Sequence, residues 1–271
     1  MAERWYPRLH HAETLWQEGH SHEARIALFS ITQDMNAKGW ARLESLQMLV
    51  RWGLKEDTMA LARAMLAEPL AENNQKIRLE VGQILAELGQ VREASALLLA
   101  HLRCWMPVRC ESVLDTLAAL GCIEEIARLA HDVNAYPGVR LAAASSLIRS
   151  GRIEEGIGIL RHLADLTAKT THPVGISESV RWSAVHTLSR FPDQRQLVEE
   201  VTAELAHNAQ YVKVRVLAVE KLREQRQVEV LLHLGADRSA PPNIRKLVAA
   251  SLLELGHTRE AEALAREIGP T

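Results

Sequence analysis

The chain has 271 residues, 47% of them apolar, and its 32 Lys and Arg are balanced by 34 Asp and Glu for a net charge of −2. The apolar fraction is ordinary for a folded protein, nothing is low-complexity, and the charge balance excludes a globally basic nucleic-acid binder while leaving room for a local patch. No run approaches the roughly 18 apolar residues of a membrane span, and Met-Ala-Glu-Arg-Trp-Tyr-Pro lacks the apolar core of a signal peptide, so a cytoplasmic protein that does not engage membranes is expected.

Residues 1–40 carry a first helical hairpin that holds Trp5, Tyr6, Trp16, Phe29 and Trp40, with Trp52 just beyond. Most aromatics of an aromatic-poor chain thus lie at one end. Two readings stand side by side: a cap over the exposed end of a stack, or a groove for a peptide. His10, His11, His20 and His22 fall on two helix ends without a Cys or carboxylate at ligand spacing, so no metal is expected there.

The stretch from Arg78 to Gly89, followed by Gln90-Val91-Arg92-Glu93-Ala94, shows the unit from which the rest is built. Its pattern is clearest from Arg140: apolar or small residues fall at the first, third, fourth and seventh places (Leu141, Ala143, Ala144, Leu147), which is one face of a helix. Gly151 then stands four residues past Leu147, where a left-handed residue ends a helix without a side-chain penalty. A second helix follows at once. Counted from the glycine, its buried places are the fifth, eighth, ninth and twelfth: Gly156, Ile159, Leu160 and Leu163 here, and Ala94, Leu97, Leu98 and His101 in the Gly89 copy.

The Arg-to-Gly spacing recurs, in places degraded, from Arg8, Arg42, Arg78, Cys110, Arg140, Arg181, Arg215 and Arg245 to Gly19, Gly53, Gly89, Gly121, Gly151, Pro192, Arg226 and Gly256. The seventh place is leucine in every copy: Leu15, Leu49, Leu85, Leu117, Leu147, Leu188, Leu222 and Leu252. Such periodicity predicts an all-α solenoid of about eight helical hairpins, read as one continuous array over residues 1–271.

Cys104, Cys110 and Cys122, odd in number and without framework spacing, fit a reducing compartment. With His101 they could be assembled into a zinc set, but His101 takes a core place and Cys122 directly follows a capping glycine, which points to burial instead. Between the fifth and sixth copies lies the longest connection, Thr167 to Glu178, interrupted by Pro173 and Gly175; it is either a binding insertion or a passive loop. Copy six replaces the glycine by Phe191-Pro192. Copy seven is locally basic, with Lys221, Arg223 and Arg226 interleaved with Glu220, Glu224 and Glu229 as on a solvated face. Ile268-Gly269-Pro270 stops the last helix.

The entries Pro107-Val108-Arg109, Pro137-Gly138-Val139-Arg140 and Pro241-Pro242-Asn243-Ile244-Arg245 resemble those of short-period HEAT repeats, the kind found in phycobilin lyases. The resemblance spans most of the chain. Gly82, Gly89, Ala94 and Leu98 are also spaced as in tetratricopeptide repeats, although an interval that drifts between 30 and 41 departs from that unit of about 34. A HEAT-like array implies partner recognition on the concave surface formed by the second helices. The superfamily also contains lyases or chaperones for cofactor-bearing proteins and nucleic-acid binders, which remain the alternatives.

No Gly-rich phosphate loop, Gly-x-Ser-x-Gly elbow, His-Glu-x-x-His or Cys-x-x-Cys occurs. The pairs Glu124-Glu125 and Glu154-Glu155 sit in a first helical turn, where acids suit the helix dipole and adjacent residues do not face each other. The expectation is a non-enzymatic scaffold that needs no cofactor or metal and binds another protein, with nucleic acid disfavoured. On the open side of the second helices, the seventh and tenth places supply Phe29, Arg63, Arg128, His131, Arg161 and Arg266 as candidate contact residues. The third place favours acids: Glu56, Glu124, Glu154 and Glu229. Dipole matching accounts for both trends, and an arginine stripe that recognises an acidic segment of the partner is the other account of the arginines.

Overall fold

The structure is a computed structural model that describes residues 4–34, 37–67, 74–103, 109–168 and 171–269. Cys104, Pro107, Val108, Lys169, Thr170 and Pro270 lie outside these. The described residues form sixteen helices and no strand. They fall into two compact units, Met1–Glu125 and Ile126–Thr271. The first holds α1 (Trp5–Gln17), α2 (Ser21–Gln33), α3 (Gly39–Arg51), α4 (Lys55–Ala67), α5 (Asn74–Glu87), α6 (Val91–Leu102) and α7 (Cys110–Ala119). The division falls in the first turn of α8 (Ile123–His131). The second unit continues with α9 (Pro137–Arg149), α10 (Ile153–Ala164), α11 (Glu178–Leu188), α12 (Arg195–Asn208), α13 (Val212–Glu224), α14 (Val228–Ala236), α15 (Pro242–Glu254) and α16 (Thr258–Ile268).

Helices alternate between two rows. In the first unit α1, α3, α5 and α7 touch in succession and α2 packs on α4; in the second, α9, α11, α13 and α15 form one row and α12, α14 and α16 the other. Helix-on-helix packing along the chain is what a helical repeat requires, since each amphipathic helix can bury its stripe only against neighbours.

The leucine column explains the spacing to the glycine. From Leu49 to Leu252 the seven side chains are fully or almost fully buried, and Leu15, in the first helix, is half-buried. Seven of the eight leucine carbonyls also accept a bond from the residue after the capping position, among them His20 to Leu15 at 2.8 Å, Leu54 to Leu49 at 3.0 Å, Gln90 to Leu85 at 2.8 Å, Arg152 to Leu147 at 2.9 Å and His257 to Leu252 at 2.9 Å; the Leu188 carbonyl accepts from Phe191 instead. That bond closes only if the residue between is left-handed, and Gly151, for example, has φ 89°.

In three copies the arginine that opens the unit does not face solvent. Arg42, Arg140 and Arg245 are buried, and each donates from Nε to a carbonyl ten residues back: Thr32 at 2.8 Å, Ala130 at 3.0 Å and Gly235 at 2.8 Å. These carbonyls end the previous repeat's second helix, where helices leave acceptors unsatisfied. The turn between is the same each time. Ala37, Ala135 and Ala240 donate to the carbonyls of Asp34, Asp132 and Asp237 at 2.8, 3.0 and 3.1 Å, so the joint reads Asp-x-x-Ala-x-x-x-x-Arg. In the long connection Ala168 donates to Asp165 at 3.2 Å, and Arg181 still reaches back to the carbonyls of Asp165 and Ala168.

Two registers differ from the sequence expectation. Leu141, assigned to the helix face, is half-buried, whereas Arg140 itself is 3% exposed. In copy six a 3-10 turn at Pro192–Gln194 inserts one residue before α12, so the buried positions become Val198, Val201, Thr202 and Leu205. Thr202, the tenth place after Pro192 and so an open-side position by the repeat count, is therefore in the core and donates its hydroxyl to the Val198 carbonyl.

Candidate partner-binding surface

The second helices of the first unit place Phe29 on α2, half-buried in a groove of about 490 Å³. Ile26, 56% exposed, sits one turn before it, and His22, Arg25, Gln33 and Asp57 complete most of the lining. Asp57 comes from α4, so the groove runs between two repeats. Arg25 clamps it with a two-pronged pair to Asp57, Nε–Oδ2 and Nη2–Oδ1 both at 2.7 Å.

The remaining aromatics are elsewhere. Trp5 is a core residue with the Arg4 and Arg8 guanidinium groups 5.4 and 4.9 Å from its ring. Tyr6 meets Trp40 at 4.7 Å and Trp16 stacks parallel on Trp52 at 4.4 Å, which ties α1 to α3. These aromatics of the N-terminal hairpin and its neighbour therefore pack the first-helix row, and of those named Phe29 lines the groove.

Most of the basic residues singled out on the second helices are engaged with the next repeat. Arg63 holds both oxygens of Glu93, at 2.7 and 3.2 Å. That hydrogen bonding is the main reason the Arg63 guanidinium is raised and the Glu93 carboxyl lowered from their ordinary pKa values. His131 Nε2 is 3.0 Å from Glu155, which Arg152 also contacts, and Arg161 donates to Gln194. Arg266 pairs within its own helix with Glu262, 3.4 Å away. Arg128 is exposed on α8. The acids that take part, Asp57, Glu93 and Glu155, stand at the fourth place after the glycine. The sequence reading had weighed the third place, yet the fourth-place signal is regular: Glu23, Asp57, Glu93, Glu125, Glu155 and Glu260. A ladder between neighbouring repeats is thus a further account of the alternating charges, beside dipole matching and partner recognition.

The long connection is tied down where it is described. Thr171 donates to the Val133 carbonyl and to Asn134 Oδ1, and His172 is buried edge-on against Tyr136 with ring centroids 5.6 Å apart. Sequence reasoning missed two histidines. His162, in the fifth-copy second helix, has its pKa lowered by burial and then by the charges of Arg140 and Arg181. His207 stands 5.4 Å from His233, ring to ring, and is lowered by burial and then by that neighbour. Neither place follows from spacing within one repeat, since the groups that act on each histidine include residues of neighbouring helices.

Among the described residues no group of three or more His, Cys, Asp or Glu is arranged to hold a metal ion. Burial is the first cause that pushes the Cys110 and Cys122 thiols up, which disfavours the reactive thiolate. Among the described residues no helix is long and apolar enough to cross a membrane.

No family model matches the chain, and no curated protein matches it. A chain from a computational design of self-assembling cyclic protein homo-oligomers is similar at 14% identity, covering 97% of this chain and 94% of its own. Its TM-score of 0.13 is too low to carry an argument about fold or function.

Proposed function

We propose that this chain is a non-enzymatic, HEAT-like α-solenoid of about eight hairpins that binds another protein along its second helices. The observation that carries the reading is the groove between α2 and α4, where Ile26 is exposed beside Phe29. An exposed branched aliphatic next to an aromatic is the kind of anchor that interfaces use at their centre. The drifting repeat interval and the Val-Arg entries favour HEAT-like over tetratricopeptide-like packing. Arg63, Arg128, Arg161 and Arg266 supply positive charge on their second helices, where His131 also stands, and an acidic segment of the partner would share those already bridged to a neighbouring repeat.

The test is affinity capture with the full chain and with an Ile26→Glu, Phe29→Ala variant. Loss of a captured protein at unchanged helicity and thermal midpoint supports the groove; identical capture overturns it. Reversing Arg128, Arg161 and Arg266 to Glu addresses the charges separately. Capture that survives this reversal but not the groove variant places recognition on the apolar anchor alone.

A further inference from the structure

Second helices of neighbouring repeats are tied by a basic side chain held to a carboxylate, at Arg25–Asp57, Arg63–Glu93 and His131–Glu155. Between α12 and α14 the side chains that meet are instead two imidazoles. His207 and His233 have ring centroids 5.4 Å apart and planes inclined by 55°. Two imidazoles cannot neutralise each other, and once protonated they repel. Neither ring has a hydrogen-bond partner among the described residues, and neither is sealed from solvent: His233 is exposed and His207 half-buried.

The surroundings favour positive charge at this place. Each histidine stands in the last turn of its helix, where the negative end of the helix dipole lies. Glu204, one turn before His207 on α12, and Asp237, one turn after His233, add their fields, against the single opposing charge of Arg215. The two carboxylates are engaged locally, Glu204 with Asn208 and Asp237 with Ser239, so they act through their charge and leave ligation to the imidazoles. Burial first, and His233 next, hold the His207 ring in its neutral form, which is the form that ligates a metal.

We infer that His207 and His233 clamp a divalent ion of the zinc class, which bridges α12 and α14 where other repeats use a carboxylate. Imidazoles that share a tetrahedral ion at metal–nitrogen distances of about 2.0–2.1 Å have ring centres about 5 Å apart, close to the spacing of this pair. The terminal torsion of histidine is broad, so each ring can turn a nitrogen onto the shared ion. Neutral imidazole suits Zn2+, Cu2+ and Ni2+, whereas Mg2+ and Ca2+ take oxygen ligands. Two protein ligands are fewer than a closed structural site has, so water fills the remaining positions and the ion exchanges. The clamp joins repeats six and seven and stands independently of the α2–α4 groove.

The test is titration calorimetry of the full chain with Zn2+ at pH 7.5, with Mg2+ as the control. One Zn2+ per chain is expected, with a dissociation constant of roughly 100 μM or below, and no matching Mg2+ site. Excess Zn2+ should raise the thermal midpoint and EDTA should reverse the rise. His207→Gln and His233→Gln each leave one imidazole, so each should weaken the site about tenfold or more and abolish the rise. A histidine that only packs would shift the metal-free midpoint and leave the Zn2+ response intact. No binding at roughly 1 mM Zn2+, Mg2+ binding of equal strength, or Zn2+ affinity that either variant retains overturns the clamp. If His207→Gln does not fold, the exposed His233 decides: an unchanged Zn2+ affinity in His233→Gln sinks the assignment.

Discussion

Gly156 and Gly158 stand two residues apart in α10, and replacing each by alanine changes helix propensity by the same amount, a gain of about 0.8–1.0 kcal/mol. Their surroundings are opposite. A Cβ on Gly158 meets nothing within 4 Å, so Gly158→Ala should stabilise by that full gain and raise the midpoint of the second unit by about 2–4 °C. A Cβ on Gly156 would lie 2.5 Å from Ile148 Cγ1 and 2.7 Å from the Ala144 carbonyl oxygen. The isoleucine tip can turn aside, but the carbonyl belongs to the α9 backbone and moves only if the helix does. Overpacking of that kind costs about 1–3 kcal/mol, which cancels or outweighs the propensity gain. Subtracting the two variants removes propensity and leaves the contact term, so a gap of about 1–3 kcal/mol is expected between them. Denaturant melts of the full chain followed by circular dichroism read it directly. If both alanines shift the transition equally, α9 and α10 do not approach as closely as described.

Three further outcomes are expected. Arg140→Met removes the donor to the Ala130 carbonyl at a buried joint and should cost about 1–3 kcal/mol in a urea melt; Arg140→Lys should not restore it, because an ammonium cannot reproduce the Nε geometry, and a loss below about 0.5 kcal/mol would refute the joint. Leu147→Ala should cost about 2–5 kcal/mol and the half-buried Leu15→Ala about half of that or less, so equal losses would mean the column is misread. Folding holds the pKa values of His162 and His207 below the ordinary value, so below about pH 6.5 the unfolded chain binds protons that the folded chain resists. The stability they contribute is thus complete above that pH and is lost as pH falls through the lower folded values. A His162→Gln, His207→Gln variant should flatten this slope in melts taken from pH 7.5 to 5, and an unaltered slope would assign it to other groups.

What was legible in the chain is what neighbours in sequence determine. The helix pairs, the leucine column and the glycine caps all depend on contacts within one repeat, and Leu85 with Gly89 or Leu147 with Gly151 state them openly. Copy six misled because a capping proline starts a 3-10 turn, which adds a residue and rotates Thr202 inward. The role of the recurring arginine needed a partner ten residues upstream. The signal was present three times as Asp-x-x-Ala-x-x-x-x-Arg, ending at Arg42, Arg140 and Arg245, but it straddles the boundary between repeats and vanishes when each is read alone. The same holds for Arg63 and Glu93, which belong to different copies. The groove was half visible: Phe29 drew attention as an aromatic, whereas Ile26 shows as exposed only when α2 and α4 are set side by side.

The joint closes through a side chain rather than through the length of the connecting loop. Between Ala135 and Arg140, or Ala240 and Arg245, the chain advances five positions; between Ala168 and Arg181 it advances thirteen, and the guanidinium still finds the end of the preceding helix. The molecule thus already contains a natural graft of eight residues at one of its seams. Lengthening a connection costs little in closure entropy, about 0.6 kcal/mol per doubling. The equivalent seams after Ala135 and Ala240 are therefore the places where a foreign segment, such as an epitope or a reporter peptide, can be spliced in with both flanking helices still clasped by their arginine.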